Sequence, residues 1–279
     1  MGKIDLHVHT TASDGSLTPS QVVREAANSG VYLLGIADHD CTDGVREAEQ
    51  AGRSSGITVI PAVELSVGSG PREIHVLGYW IDVEQAELQA ALARLRSARD
   101  TRNDRIVQRL RELGAPIDLE RVKEIGGDGS VGRPHIAYAL VEAGHVSSIG
   151  EAFGRFLARG KPGYVGRDRL SPAEASEVII AAGGLPVLAH PAKIGPRAAI
   201  EEILDQGMRG VEVYHSDHND VNSQMLLALA KERGLVVTGG TDSHGPLADR
   251  PLAIGNLDIP DWVGEQFLQH APKAWSEAR

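Results

Sequence analysis

Eleven histidines are spread along this chain, and six of them fall where chemistry would need them. His7, His9, His39, His75, His190 and His244 lie at or just beyond the C-terminal end of a short apolar segment that reads as a buried strand. Asp14, Glu64 and Asp242 occupy similar places. His7 and His9 are two residues apart, and such neighbours on a strand point to one side, so both imidazoles can meet one ion. A single histidine of this kind would read as an ordinary polar residue at a strand end. Six imidazoles and three carboxylates crowded together would be costly to pack without cations to compensate them. These nine residues are therefore the expected metal ligands.

No cysteine stands among them, which argues against a closed structural zinc site. Mixed imidazole and carboxylate donors suit Mn²⁺, the leading expectation, with Zn²⁺ or Fe²⁺ as alternatives. Nine donors are too many for one ion and suit two or three. Three carboxylates offset only half the charge of three divalent ions. The remaining positive charge matches a hydroxide plus a phosphate dianion, which favours phosphate-ester chemistry over hydrolysis of a neutral amide.

Residues so far apart in the chain can meet only if the fold gathers strand ends on one face. Seven segments read as strands: Lys3–His9, Tyr32–Ala37, Thr58–Glu64, Glu73–Trp80, Leu185–His190, Gly210–His215 and Leu235–Gly239. Helical stretches separate most of them. Thr18-Pro19-Ser20-Gln21 and Ser171-Pro172-Ala173-Glu174 are capping boxes with Pro at the first helical position, so helices start there. Alternating strands and helices predict parallel βα units. Seven of them predict an α/β fold, a closed or nearly closed (β/α)7 barrel whose strand C-termini converge on the site.

The alternation fails from Val83 to Val165. That stretch reads as a helical insertion, with helices over Glu84–Leu113, Asp118–Ile125, Arg133–Glu142 and Ser148–Leu157. The barrel is then residues 1–82 and 166–279, and residues 83–165 are expected to form a lid leaving the C-terminal end of the fourth strand. The 279-residue chain is 42% hydrophobic with a net charge of −10, which argues against binding long duplex nucleic acid or anionic membranes through overall charge. Its lone cysteine, Cys41, suits a reducing compartment. No apolar run approaches the roughly 18 residues of a membrane span, and no signal-peptide pattern opens the sequence. A soluble cytoplasmic protein is expected.

The residues around the ligands resemble the PHP (polymerase and histidinol phosphatase) family. The motifs are Asp5-Leu6-His7-Val8-His9-Thr10, Ser13-Asp14-Gly15, Ala37-Asp38-His39-Asp40, Glu64, Ile74-His75-Val76-Leu77-Gly78-Tyr79, Ala189-His190-Pro191 and Thr241-Asp242-Ser243-His244. The resemblance implies a distorted (β/α)7 barrel and up to three metal ions. By position, His7, His9, Glu64 and Asp242 would hold the first ion. Glu64 would bridge to a second, completed by His75 and His190, and Asp14, His39 and His244 would hold the third. Some family members carry His where this chain has Asp14, a change that hardens the third site towards oxygen donors. The helical insertion is similar to that of stand-alone PHP phosphoesterases, among them 3′,5′-nucleoside bisphosphate phosphatases and enzymes that trim short RNA from the 5′ end.

Candidates for holding substrate lie in and near the insertion. Gly132-Arg133-Pro134-His135 opens a predicted helix, where free amides favour an anion, Arg133 could clamp it and His135 could add a donor. Arg155, Arg159, Lys161, Arg167 and Arg169 form a basic run around one acid, Asp168, and Lys161 sits between Gly and Pro on a tight loop. Ser13 could reach the same anion from the first loop. His215, at the end of the sixth strand, is the expected proton donor to the leaving oxygen or a partner of a ligand. Asp38 and Asp40, flanking His39, are expected to orient ligating imidazoles.

The expected reaction is metal-assisted hydrolysis of a small phosphate monoester. With a nucleoside 3′,5′-bisphosphate, the 3′-phosphate would sit on the metals, and Arg133, His135 or Lys161 would read the 5′-phosphate. Trimming of short 5′-phosphorylated RNA along the basic run is one alternative. A histidinol-phosphate phosphatase needs an anionic partner for the substrate ammonium, which no distinct motif supplies. An amidohydrolase shares the His-x-His strand but fits Asp14 and Asp242-Ser243-His244 less well. A metal-free binding module would have lost ligands, and none of the nine is missing.

Overall fold

A computed structural model describes residues 2–69, 72–127, 131–166, 169–248, 251–273 and 275. Seven strands form one sheet in sequence order: β1 (Lys3–Val8), β2 (Val31–Ile36), β3 (Thr58–Ser69), β4 (Arg72–Tyr79), β5 (Leu185–Leu188), β6 (Gly210–His215) and β7 (Val236–Gly240). The fold is α/β, and the sheet is a nearly closed barrel. β7 returns to β1 through His7, whose carbonyl accepts from the Asp242 amide at 2.9 Å, and through His9, whose amide donates to the Ser243 carbonyl at 2.9 Å. Beneath this seam the buried Asp5 carboxylate accepts from the Thr241 amide and hydroxyl and from the Gly255 amide, at 2.8 to 2.9 Å. Gly240 permits the approach, because a Cβ there would stand 2.4 Å from the His7 backbone nitrogen and Cβ.

Helices α1 (Pro19–Asn28), α2 (Val45–Ser55), α7 (Pro172–Ala181), α8 (Arg197–Leu204), α9 (Asp220–Arg233) and α10 (Asp261–Gln269) surround the sheet. α1 and α7 start at the two capping boxes read from the sequence, each with both reciprocal hydrogen bonds formed. Between β4 and α7 lie α3 (Ala86–Glu112), α4 (Leu119–Gly126), α5 (Arg133–Glu142) and α6 (Ile149–Ala152), the last running into a π turn over Phe153–Leu157. Among the described residues, no helix is long and apolar enough to cross a membrane.

Two expectations about direction are corrected. The strands are not all parallel: β4 runs antiparallel to both β3 and β5. His75 therefore reaches the site from the N-terminal half of its strand, not from a C-terminal end. For the same reason the insertion leaves β4 on the far side from the site. α3 makes good the distance, since 27 residues of helix span about 40 Å. Its Leu88, Leu92 and Leu95 join the barrel core, Arg99 reaches the site, and Ile106, Val107 and Leu110 belong to a second apolar core shared with α5.

β3 also outruns its expected end at Glu64. It pairs with β2 only from Thr58 to Pro61, then with β4 from Ala62 to Ser69. Glu64 is thereby a mid-strand residue, held rigidly by pairing on Leu77. β5 stops two residues short of His190, whose backbone turns left-handed at φ 28°.

Candidate metal centre and substrate cavities

Glu64 is the hub of the site, and its side chain is fully buried. Its Oε1 lies 2.7 Å from His75 Nδ1 and 2.9 Å from His190 Nε2. Its Oε2 lies 2.9 Å from His39 Nδ1 and 3.3 Å from both His7 Nε2 and His9 Nε2. Asp242 Oδ1 faces the same space, 3.0 Å from His9 Nε2 and 3.5 Å from His7 Nε2. Asp14 Oδ1 lies 3.4 Å from His244 Nε2 and 3.9 Å from His9 Nδ1. The fold thus brings all nine residues singled out in the sequence to one place. Three overlapping groups, His7/His9/Glu64/Asp242, His39/Glu64/His75 and His9/Asp14/His39/His244, each have donor atoms within 4.8 Å of one another.

Four buried polar atoms at this convergence make no aligned hydrogen bond: His7 Nε2, His9 Nδ1, His39 Nδ1 and Glu64 Oε2. Left unsatisfied, each would cost roughly 1–3 kcal/mol. A divalent cation satisfies such lone pairs together, so the donor set fits a metal centre. The electrostatics agree. Burial would raise the Glu64 carboxyl, but the His39, His75 and His7 imidazoles hold it well below the carboxylate range. Burial pushes His190 down to about 4, leaving it neutral with a lone pair to give. Cys41 stands outside the groups above, and burial pushes its thiol up to about 12.

A second layer fixes the ligands. Glu212, on β6 and fully buried, takes His7 Nδ1 at 2.9 Å on one oxygen and the His190 amide at 2.7 Å on the other. Asp38 collects the Thr10 amide and hydroxyl at 2.7 and 2.8 Å. Asp40 accepts from the Ser66 amide at 2.8 Å and from Arg99 at 2.5 Å. Among the described residues, three of the four non-glycine residues with positive φ, Asp40, His190 and Asp242, belong to this cluster. Such backbone costs of order 1–3 kcal/mol per residue and persists only where its surroundings over-determine it.

The residues expected to touch substrate fare unequally. Ser13 does not face the cavity: it is 1% exposed and donates to Asp38 at 2.6 Å, because a carboxylate beside the loop outcompetes any distant anion. His135 is buried, and its Nδ1 accepts from the Gly132 amide at 2.9 Å, so the ring caps α5. Arg133 meets Glu73 at 3.1 Å and lies over the Phe153 and Tyr164 rings. Lys161 is exposed and lines neither cavity of the site. The basic run does not act as one face, since Arg155 pairs with Glu151 at 2.7 Å and Arg169 with Glu73 at 3.0 Å. Arg167 and Asp168 lie outside the described residues. His215, 2% exposed, places Nε2 3.3 Å from Asp242 Oδ2.

Two cavities open on the cluster, sharing Asp14, Pro134 and Phe153. One, of about 120 Å³, has Arg99, Arg102 and Arg133 facing His39 and His75. The other, of about 250 Å³, sets Tyr138, Ile149 and Leu252 against Asp242 and His244. Sequence reasoning missed Arg99, Arg102, Glu212 and Lys193. The Glu212 signal was available, as the lone acid within an apolar strand, Gly210-Val211-Glu212-Val213. Lys193 Nζ lies 2.8 Å from Asp217 and 3.8 Å from Asp242. Burial works against its charge, but Asp242 and Asp217 hold its ammonium above the usual lysine range.

Comparison with known proteins finds relatives along nearly the whole chain. The sequence profile of PHP domains matches residues 5–117. A 5′-3′ exoribonuclease of Haemophilus influenzae is 36% identical over 266 residues, covering 94% of this chain and 96% of its own. A 3′,5′-nucleoside bisphosphate phosphatase of Chromobacterium violaceum is 35% identical over 260 residues, covering 88% of each chain. A crystal structure from Bifidobacterium adolescentis, assigned by inference to the metal-dependent phosphoesterases, superposes with a TM-score of 0.86 at 30% identity and covers 95% of each chain.

Proposed function

This chain belongs to the PHP family of phosphoesterases, and from that premise we propose that it hydrolyses the 3′-phosphate of nucleoside 3′,5′-bisphosphates, releasing a nucleoside 5′-monophosphate and phosphate. One observation carries the reading: a single ligand cluster borders both a cavity with three arginines beside Glu73 and a cavity where Tyr138, Ile149, Phe153 and Leu252 stand opposite the cluster's carboxylates. A bisphosphonucleoside has matching parts, two phosphates and an aromatic base.

In this reading His7, His9, Glu64 and Asp242 hold one ion, and Glu64 with His75 and His190 holds a second. Asp14, His39 and His244 hold a third. Two or three ions are bound, Mn²⁺ foremost, with Zn²⁺ or Fe²⁺ as alternatives. When bound, such ions supply Lewis acidity to the phosphate and acidify the attacking water.

The protein's own side chains do the rest. Arg133, with Arg99 and Arg102, offers planar donors to the 5′-phosphate. His135 orders α5 beneath them through Gly132. Tyr138, Ile149 and Phe153 exclude water and stack on the base. His215 acts through Asp242, holding the oxygen that faces away from His9. The lone buried Cys41 suits a cytoplasmic enzyme.

The Haemophilus influenzae relative favours a second reading, removal of 5′-nucleotides from short RNA. The bond broken would be the same, between the 3′-oxygen and phosphorus, with an RNA chain attached to the departing phosphate. Product analysis separates the two. Mn²⁺-loaded protein given adenosine 3′,5′-bisphosphate should yield adenosine 5′-monophosphate and inorganic phosphate, and a chelator should abolish this. Shortening of 5′-phosphorylated RNA with the bisphosphate left intact would sink the first reading.

A further inference from the structure

Lys193 brings a positive charge to the edge of the ligand cluster, paired with Asp217 at 2.8 Å. Its Nζ stands 3.8 Å from Asp242 Oδ2, while the other oxygen of that carboxylate lies 3.0 Å from His9 Nε2, inside the ligand cluster. An ammonium at that distance repels any cation the cluster holds. The repulsion is offset when a phosphate dianion lies between the two positive charges.

The lysine is also held by its backbone. His190, itself in the cluster, turns the chain at φ 28°, and Pro191–Lys193 form a single 3₁₀ turn. The Lys193 amide donates to the His190 carbonyl at 3.1 Å, and the Ala192 amide to His218 Nε2 at 3.4 Å. These bonds tie the lysine's backbone to the turn that carries His190. Its side chain is 47% exposed, so an incoming anion can reach it. Asp217, its partner at 2.8 Å, lines the 250 Å³ cavity together with Asp242. An ammonium has three donors, and two carboxylate neighbours leave one for a further acceptor.

The geometry points to Lys193 as a phosphate-binding residue that supplies the protein's own positive charge to the phosphate held at the ligand cluster. This rests on the phosphoesterase reading but not on the identity of the nucleoside.

The test uses Mn²⁺-loaded protein and inorganic phosphate as the probe, with binding measured by calorimetry and metal content by elemental analysis. Lys193→Met should weaken phosphate roughly 10–100-fold, the range of a hydrogen bond to a charged group. Metal content and melting temperature should stay at wild-type values. Lys193→Arg, which keeps the charge, should recover most of the affinity. For whichever phosphate ester is hydrolysed, KM should rise more than kcat falls in Lys193→Met. Wild-type phosphate affinity in Lys193→Met would overturn the assignment, and so would a loss of phosphate that merely tracks a loss of metal. If phosphate binding depends on Lys193 while nucleoside bisphosphates are not turned over, the substrate reading fails and this one stands.

Discussion

His7 Nδ1 donates to Glu212 Oε1 across 2.9 Å, and neither side chain has any exposure to solvent. This contact decides which ring nitrogen His7 offers to the cluster. With Nδ1–H engaged by the carboxylate, Nε2 is left facing Glu64 and Asp242. Glu212→Gln should keep the fold but lower metal affinity about 10–100-fold, the usual effect of losing such a partner. Metal titration of the stripped protein checks this, and an unchanged affinity would mean that His7 needs no orientation.

Protons and metal ions compete for the cluster. In the metal-free protein burial opposes a charge on His9, but Asp242 and Glu64 raise it from 6.5 to about 10. A raised histidine stabilises the fold fully below 6.5, and that stabilisation fades as pH climbs through 10. Metal-free protein should therefore lose melting temperature over that window. Metal-loaded protein should not, so the gap between the two widens with pH. Calorimetry in buffers of different ionisation enthalpy should also show proton release on binding. A gap that narrows as pH rises would contradict this.

Arg99 and Asp40 form a buried ion pair at 2.5 Å that ties α3 to the loop following His39. Arg99→Met removes the cation paired with a buried carboxylate and should cost about 3–5 kcal/mol in denaturant unfolding. Adding Asp40→Asn should recover much of that, and a double variant as unstable as the sum of the singles would refute the coupling.

The Tyr138 hydroxyl donates to the Leu247 carbonyl, joining α5, whose Tyr138 lines the 250 Å³ cavity, to the loop beyond His244. Tyr138→Phe removes that link while keeping the ring. KM for a nucleoside substrate should rise several-fold, by about the 0.5–1.5 kcal/mol of one hydrogen bond, with kcat unchanged. An altered kcat at constant KM would place Tyr138 in the chemistry instead.

The ligand cluster was legible because its constraints are local. The two-residue spacing of His7 and His9 and the histidines at apolar segment ends follow from strand geometry alone. The direction of β4 was not, since an alternating strand reads the same either way and only its pairing with Leu65 and Leu188 reveals it. Ser13 misled for a different reason. A hydroxyl beside Asp14 invites a ligand, but Asp38, 25 residues on, claims it. Arg99 and Arg102 carried no mark at all. α3 holds seven arginines of one chemical type, and packing against the barrel decides which two are buried.

The most direct test of the central claim is kcat/KM of the Mn²⁺-loaded protein for a nucleoside 3′,5′-bisphosphate, the matching 3′-monophosphate and histidinol phosphate. With the second phosphate held by Arg133 and its neighbours, the bisphosphate should lead by about 10–100-fold, the size of one charged hydrogen-bonded contact. Equal or faster turnover of the monophosphate or of histidinol phosphate would contradict it.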